Sequence, residues 1–319
     1  MTDGLTKYTN ATKDVALFDL GQRAQIELRG NDRQSFLHNF CTNDINKLTP
    51  GEGCEAFLTN IKGRILGHII ASAINDVLWI DSEPDTAQFI VSHLDKYLIT
   101  EEVEITDRTH DLAELLLVGP NAGQWLSDHL NDFAIPSLNG LTNAAFDGID
   151  VMVRQVPFTA QPSFQLIVPK TVTERLQQSI QQSDVSLATP DVFEALRIEA
   201  GYPRYGVDLT DENIAQEANR TNQAISFTKG CYLGQEPIAR LDALGHVNKD
   251  LRRLELADGP APSPGTPVLT TAGDEVGRIT SAAISPPIGH PIALAMLKTS
   301  ASATDATLSV NGTEATIAR

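Results

Sequence analysis

From residue 251 onward, Gly and Pro cut the chain into short β-rich runs at 252–256, 266–270, 276–282, 292–297, 307–310 and 315–318. Short strands at such regular spacing close on themselves, so the tail is expected to form a small antiparallel β-barrel. The segments 260–264 and 285–291 are its loops. Ahead of the tail the pattern is different. Strand-like runs at 24–28, 55–58, 64–73 and 77–80 alternate with stretches of helical spacing, first Phe36, Leu37 and Phe40, then Ala87, Val91, Leu94 and Leu98. Asn31 is placed to cap the first helix, and 103–106 can close the sheet. A similar cycle follows, with strands at 115–118, 151–156 and 164–168 and a helical face of Trp125, Leu126 and Leu130. Thr171 and Glu174 make a capping-box pattern ahead of Leu176 and Ile180. Pro190 opens a further helix carrying Phe193, Leu196 and Arg197, and Gly201 is its natural end. The expected architecture is α+β: one domain over 1–110, a second over 111–250, and the barrel over 251–319. Residues 201–251 read as a long, mostly irregular segment, which inside a compact chain points to function.

Composition narrows the function classes. A chain of 319 residues is too long for one ordinary core, and 41% hydrophobic residues supply ample core material. No apolar run reaches the length of a membrane span, and no signal-peptide pattern opens the sequence. Cys41, Cys54 and Cys231 are too few for a disulfide framework, so a reducing, cytoplasmic compartment is expected. A net charge of −17 argues against a broad nucleic-acid or anionic-membrane surface. No closely spaced Cys pair is present, and His246 has no second ligand at metal spacing, so no metal site is expected. P-loop, GxGxxG, GxSxG and HExxH motifs are all missing.

The densest chemistry lies at Lys229-Gly230-Cys231-Tyr232-Leu233-Gly234-Gln235-Glu236. Cys231 is a candidate nucleophile, and the neighbouring Lys229 is a cation that can favour the thiolate. Gly230 and Gly234 let the backbone turn and approach closely. Gln235 offers directional hydrogen bonds, and Glu236 can move a proton. The plainer alternative is a small buried thiol in a glycine turn. A second group runs from Arg197 through Glu199, Tyr202, Arg204 and Tyr205 to Asp208. Arg holds carboxylates in a bidentate fork, and aromatic or guanidinium planes stack on flat heterocycles. Its alternative is a solvated helix end and a tight loop. Arg64, beside the Gly63 turn, and Arg240 are further candidate anion contacts.

The octapeptide Lys-Gly-Cys-Tyr-x-Gly-Gln-Glu resembles the signature of the folate-binding YgfZ family, within the superfamily of the glycine-cleavage T-protein, an aminomethyltransferase. Matching blocks at Leu17-Phe18-Asp19, Thr42-Asn43-Asp44, Lys62-Gly63-Arg64, Arg197–Gly201, Gly206-Val207-Asp208 and Ala239-Arg240 extend the resemblance over the whole chain. It implies two folate-binding-type, ferredoxin-like α+β domains and a barrel around a central cavity. It implies tetrahydrofolate or a one-carbon derivative as ligand, with Phe193 and Arg23 at positions where members carry aromatic residues, and Arg204 or Arg240 free to neutralise the anionic tail. It also implies a role in maturing or repairing iron–sulfur enzymes, including tRNA-modifying ones, with those enzymes or cluster-assembly proteins as partners and Cys231 as the functional thiol.

Two departures bear on the reaction. The run 63–68 has no Asp where the T-protein carries its catalytic carboxylate, and 158–164 lacks the Glu of the T-protein's second block. The resemblance therefore carries over the pocket and not the T-protein reaction. The alternative is a folate-dependent aminomethyl- or methyltransferase with another substrate, with His68, Asp208 or Glu236 as base. A third reading is a non-catalytic interaction module in which the octapeptide is a linker.

Overall fold

The computed structural model describes residues 2–131, 133–245, 247–303 and 306–318, so His246 lies outside the described residues. Helix α1 (Thr2–Lys13) and strand β1 (Ala16–Gly21) precede β2 (Ala24–Arg29), α2 (Arg33–His38), β3 (Gly53–Thr59), β4 (Ile65–Ile74) and β5 (Val77–Ser82). Next come α3 (Ala87–Asp95), β6 (Glu104–Asp107), β7 (Leu112–Val118), α4 (Ala122–His129), β8 (Leu141–Phe146), β9 (Ile149–Val156) and β10 (Ser163–Pro169). Helix α5 (Thr173–Gln181), β11 (Ser186–Leu187), α6 (Pro190–Glu199), α7 (Thr221–Ala224) and α8 (Gln235–Leu244) complete the first two units. The tail holds β12 (Lys249–Leu256), β13 (Pro267–Thr270), β14 (Glu275–Ile284), β15 (Pro291–Lys298), β16 (Thr307–Val310) and β17 (Thr313–Ile317).

These strands make a five-stranded sheet in the order β3-β4-β5-β2-β6 and a six-stranded sheet in the order β11-β1-β7-β10-β9-β8. The tail forms a closed barrel, β12-β15-β14-β13-β16-β17. The α+β fold class and the terminal barrel are thus as the sequence suggested. The linear split at residue 110 is crossed: β1 leaves the first sheet and pairs with β7 (Ala16 opposite Val118) and β11 (Ala16 opposite Ser186) in the second.

Each sheet buries one face under helices. Phe36, Leu37, Ile90 and Leu94 of α2 and α3 pack on the first sheet; Leu126, Leu176 and Ile180 of α4 and α5 pack on the second. The other faces turn toward each other through Ile70, Phe18, Leu116 and Val118. Covered on both sides, β4 is buried along its whole length, which is why it reads as one apolar run rather than an alternating one. Barrel strand β14 has one wet face and alternates accordingly.

Several local expectations differ from what forms. Asp32, not Asn31, precedes α2, and it makes no side-chain cap. The Thr171–Glu174 pattern does not cap α5, which starts at Thr173 with no side-chain cap hydrogen bond. Gly201, at φ +66°, does end α6. The segment 201–251 is less irregular than expected: α8 starts directly after Gly234, where a Cβ would sit 2.3 Å from the Asn60 carbonyl oxygen. That contact requires glycine and clamps the octapeptide onto the 60–63 turn.

Candidate ligand cavity

Phe18 of β1, Phe158 after β9, Phe193 of α6 and Tyr202 after it converge on a cavity of about 190 Å³. Arg23, Glu83, Arg197 and Arg204 also line it. Phe18 and Phe193 lie 5.8 Å apart between ring centroids, and Phe158 and Tyr202 5.0 Å. The Arg23 guanidinium lies 4.9 Å above the Phe158 ring. Aromatic walls of this kind hold a flat ring, and the charged groups can read its polar edge. Glu83 stands between two guanidinium groups, accepting from Arg23 Nη1 at 3.3 Å and Arg204 Nε at 3.0 Å.

Arg23 is fixed from behind by a buried polar layer between the two sheets. Its Nη2 donates to Asp81 at 2.8 Å, and its Nε lies 3.8 Å from Glu114. The amides of Gln25 and Gln165 each bridge the two carboxylates, with Nε2 2.6 Å from Glu114 in both cases. Burial and the neighbouring Asp81 charge push Glu114 up to about 8, against the weaker downward pull of Arg23 and Arg154.

A second buried chain stands behind Tyr202. His68 stacks on Phe57 at 4.9 Å and on Tyr202 at 5.2 Å. Its Nε2 meets Glu55 at 2.8 Å, and Arg220 donates to both Glu55 oxygens. Burial pushes Glu55 up, but the bonds from Arg220 and His68 prevail and hold it down at about 2. Tyr202 therefore stands between His68 and the cavity, and His68 is not among the lining residues. That placement removes the footing for His68 as a base acting directly in the cavity.

The structure divides the residues singled out in the sequence. Arg23, Phe193, Arg197 and Arg204 meet at the cavity. Arg197 is committed to a structural pair, giving Nε and Nη2 to Glu194 and Nη1 to Asp208 at 2.8 Å. Asp208 does not line the cavity; it accepts from Thr280 and Ser281 at 2.6 Å each and ties α6 to the barrel. Glu199 faces elsewhere, accepting from Tyr8 and Ser285. Tyr205 packs in a cluster around Phe57 and Leu209. Arg64 donates to the Glu212 carbonyl in a separate cleft. Gln235, Glu236 and Arg240 lie on α8, the latter two exposed. Tyr202, from the group singled out between Arg197 and Asp208, also lines the cavity, whereas the wall residues Phe18, Phe158 and Glu83 carry no site signal in the sequence, because they come from three separated segments with no local motif. The Leu17-Phe18-Asp19 block was the nearest signal.

Cys231 is exposed and is not among the cavity residues. The Lys229 ammonium points away from the role expected for it. It donates to the carbonyls of His38 and Cys41 at 2.6 Å and of Asn43 at 2.9 Å, and it lies 4.6 Å over the Tyr232 ring. All three of its N–H bonds are used, so Lys229 fastens the octapeptide to the loop after α2 rather than serving Cys231. Cys41 is buried and Cys54 partly so, and burial pushes both thiols up. A thiol reagent at neutral pH should therefore label one cysteine quickly in the native protein and all three in denaturant. Rapid native labelling that persists in Cys231→Ser would contradict this.

Two sheets face to face, a closed barrel tied to their connecting segment and a cavity lined by aromatic rings and guanidinium groups define an α+β fold. The model of the GCVT N-terminal domain matches residues 5–229, and that of the glycine cleavage T-protein C-terminal barrel domain matches residues 249–318. The chain belongs to the glycine-cleavage T-protein family. It is 29% identical over 269 residues to a chloroplastic protein of Arabidopsis thaliana that carries a transferase name, covering 84% of this chain and 61% of that one. The chain thus spans less than two thirds of that relative's length. It is 26% identical to an aminomethyltransferase of Deinococcus deserti, over 97% of this chain and 85% of the other. The structure of the glycine cleavage system aminomethyltransferase T from Bartonella henselae superposes with a TM-score of 0.86 at 18% identity, covering 99% of this chain and 88% of that one. That likeness establishes the shared fold. Among the described residues, no helix is long and apolar enough to cross a membrane.

Proposed function

We propose that this protein binds tetrahydrofolate, or a one-carbon derivative, in the aromatic cavity and acts as an accessory to iron–sulfur enzymes through Cys231. The cavity carries the first half of this reading. A pterin is flat and edged with hydrogen-bonding groups; Phe193 and Phe158 offer ring faces, and Glu83, held between Arg23 and Arg204, offers a carboxylate to the N–H edge. The lining fits the ring better than the tail, so the tail would extend outward. The exposure of Cys231 favours the second half, because a thiol on the surface can be reached by a partner protein. The resemblance of the octapeptide to the YgfZ signature points the same way.

Family membership favours a second reading, a folate-dependent aminomethyl- or methyltransferase. With His68 shielded by Tyr202, such an enzyme would draw on Glu83 or Asp19 at the cavity wall for proton transfer. Turnover of a folate-borne one-carbon group by the purified protein would favour it.

Calorimetric titration of tetrahydrofolate in reducing buffer tests the shared premise. Wild type should bind, and Phe193→Ala should weaken binding about tenfold, the size of one lost aromatic contact. Absence of binding to wild type removes both readings and leaves an interaction module. In cells lacking the native protein, Cys231→Ser should fail to restore iron–sulfur enzyme activity; full restoration would refute the accessory role of the thiol.

A further inference from the structure

Three carboxylates surround Arg23, and they are not equally served. Glu114 of β7 is wholly buried in the polar layer between the sheets. Its oxygens accept from amides, Oε1 from Gln25 of β2 and Oε2 from Gln165 of β10, at 2.6 Å each. Arg23 Nε stands off at 3.8 Å, and Arg154 of β9 turns its Nη1 to Asp81 at 3.5 Å instead. Among the described residues, Glu114 thus receives no hydrogen bond from a cation. Asp81 of β5 takes Arg23 Nη2 at 2.8 Å together with the second N–H of both amides. One amide nitrogen reaches both carboxylates, so the two stand side by side out of water. Carboxyl groups so placed do not both ionise readily unless a cation serves each. Here the cation serves Asp81, and Glu114 keeps its proton up to about pH 8.

Arg23 also ties this pair to the aromatic cavity, because its Nη1 holds Glu83 at the wall. While Glu114 is neutral, Asp81 and Glu83 together balance the guanidinium, and Glu83 is kept between Arg23 and Arg204. An ionised Glu114 adds a second buried negative charge behind Arg23, where attraction is screened little. The guanidinium then has two carboxylates on its inner side and needs Glu83 less.

We propose that Glu114 is a proton switch for the cavity: losing its proton draws Arg23 into the layer and releases Glu83 to accept from a ligand. Ligand binding and proton release are then linked, each promoting the other, and affinity rises with pH. The identity of that ligand rests on the folate reading above; the response of Arg23 does not.

Nitrogen-15 NMR of the arginine side chains follows the switch with no ligand present. The Arg23 Nε signal, identified by its loss in Arg23→Lys, should move with an inflection at about pH 8 in wild type. It should hold still in Glu114→Gln, an isosteric change. Tetrahydrofolate titrated by calorimetry in reducing buffer should bind wild type at least about threefold more tightly at pH 9 than at pH 7. At pH 8 its apparent enthalpy should differ between phosphate and Tris, the mark of a released proton. Glu114→Gln should lose both responses and keep the weaker affinity at both pH values. An Arg23 signal without inflection in wild type, or an inflection that survives in a folded Glu114→Gln, overturns the proposal. Tetrahydrofolate binding that is independent of pH, or equally dependent on it in Glu114→Gln, overturns it as well. A wild type that ignores tetrahydrofolate while its Arg23 signal responds through Glu114 would refute the folate reading alone and leave the switch standing.

Discussion

Asp208→Ala should lower unfolding stability by about 3–5 kcal/mol, the usual cost of breaking a buried ion pair from one side. Asp208 is almost wholly enclosed and receives four bonds, from Arg197 Nη1 at 2.8 Å, the Arg204 backbone N–H at 2.9 Å, and the Thr280 and Ser281 hydroxyls at 2.6 Å. Removal breaks one arm of the Arg197 guanidinium, which keeps Glu194, and leaves the Ser281 hydroxyl and the Arg204 N–H without their acceptor in a buried seam. The loss should concentrate at the barrel junction, where limited proteolysis would cut sooner in the variant. Asp208→Asn keeps an acceptor oxygen and should lose less. A urea-derived difference under about 1 kcal/mol for Asp208→Ala would show that the seam does not depend on this carboxylate.

Glu114→Gln should change the response of stability to pH. The carboxyl is pushed up to about 8 in the folded chain, from an ordinary value of 4.5. Between those two values the folded state holds a proton that the unfolded state has released. Stability therefore falls as pH rises through this window and levels off above 8. The slope is about 1.4 kcal/mol per pH unit, so the change from pH 5 to pH 8 is on the order of 3–4 kcal/mol. Gln carries no titratable proton, and its curve should be flatter by that amount, with the variant gaining on wild type as pH rises. Urea titrations at pH 5, 6, 7 and 8 measure the difference; parallel curves would mean that Glu114 is ionised throughout. Glu55 acts in the opposite sense at the acid end. Held at about 2, its contribution is complete above its ordinary value of 4.5 and is lost as pH falls through 2.

What could be read from the chain follows from how local each signal is. The barrel was legible because Gly, Pro and period-two patterning lie within each short run. The helix carrying Phe193 was legible from Thr189-Pro190 and Gly201. Helix α1 was missed, because its mean hydropathy is low and its packing comes from Ala11 and Tyr8 against distant partners. The cavity was half legible. Phe193 and Arg23 were placed by resemblance, but Glu83 joins them only because β5 ends beside the entry to β2, which no spacing rule encodes. Lys229 shows the reverse error. Adjacency in sequence suggested that it serves Cys231, whereas its long side chain reaches back to the carbonyls of residues 38, 41 and 43.

The crossing of β1 into the second sheet fixes the order in which the chain can be completed on the ribosome. Strands β2 to β6 can assemble their own sheet once residue 107 has emerged. Ala16 must wait for Val118, and then for Ser186, before its edges are filled. Until then this apolar strand has both edges open, and closing that long loop is slow. A fragment ending near residue 110 would keep this strand permanently unmatched. Such a fragment should therefore self-associate, while one that starts after β1 and stops at the same point should stay dispersed.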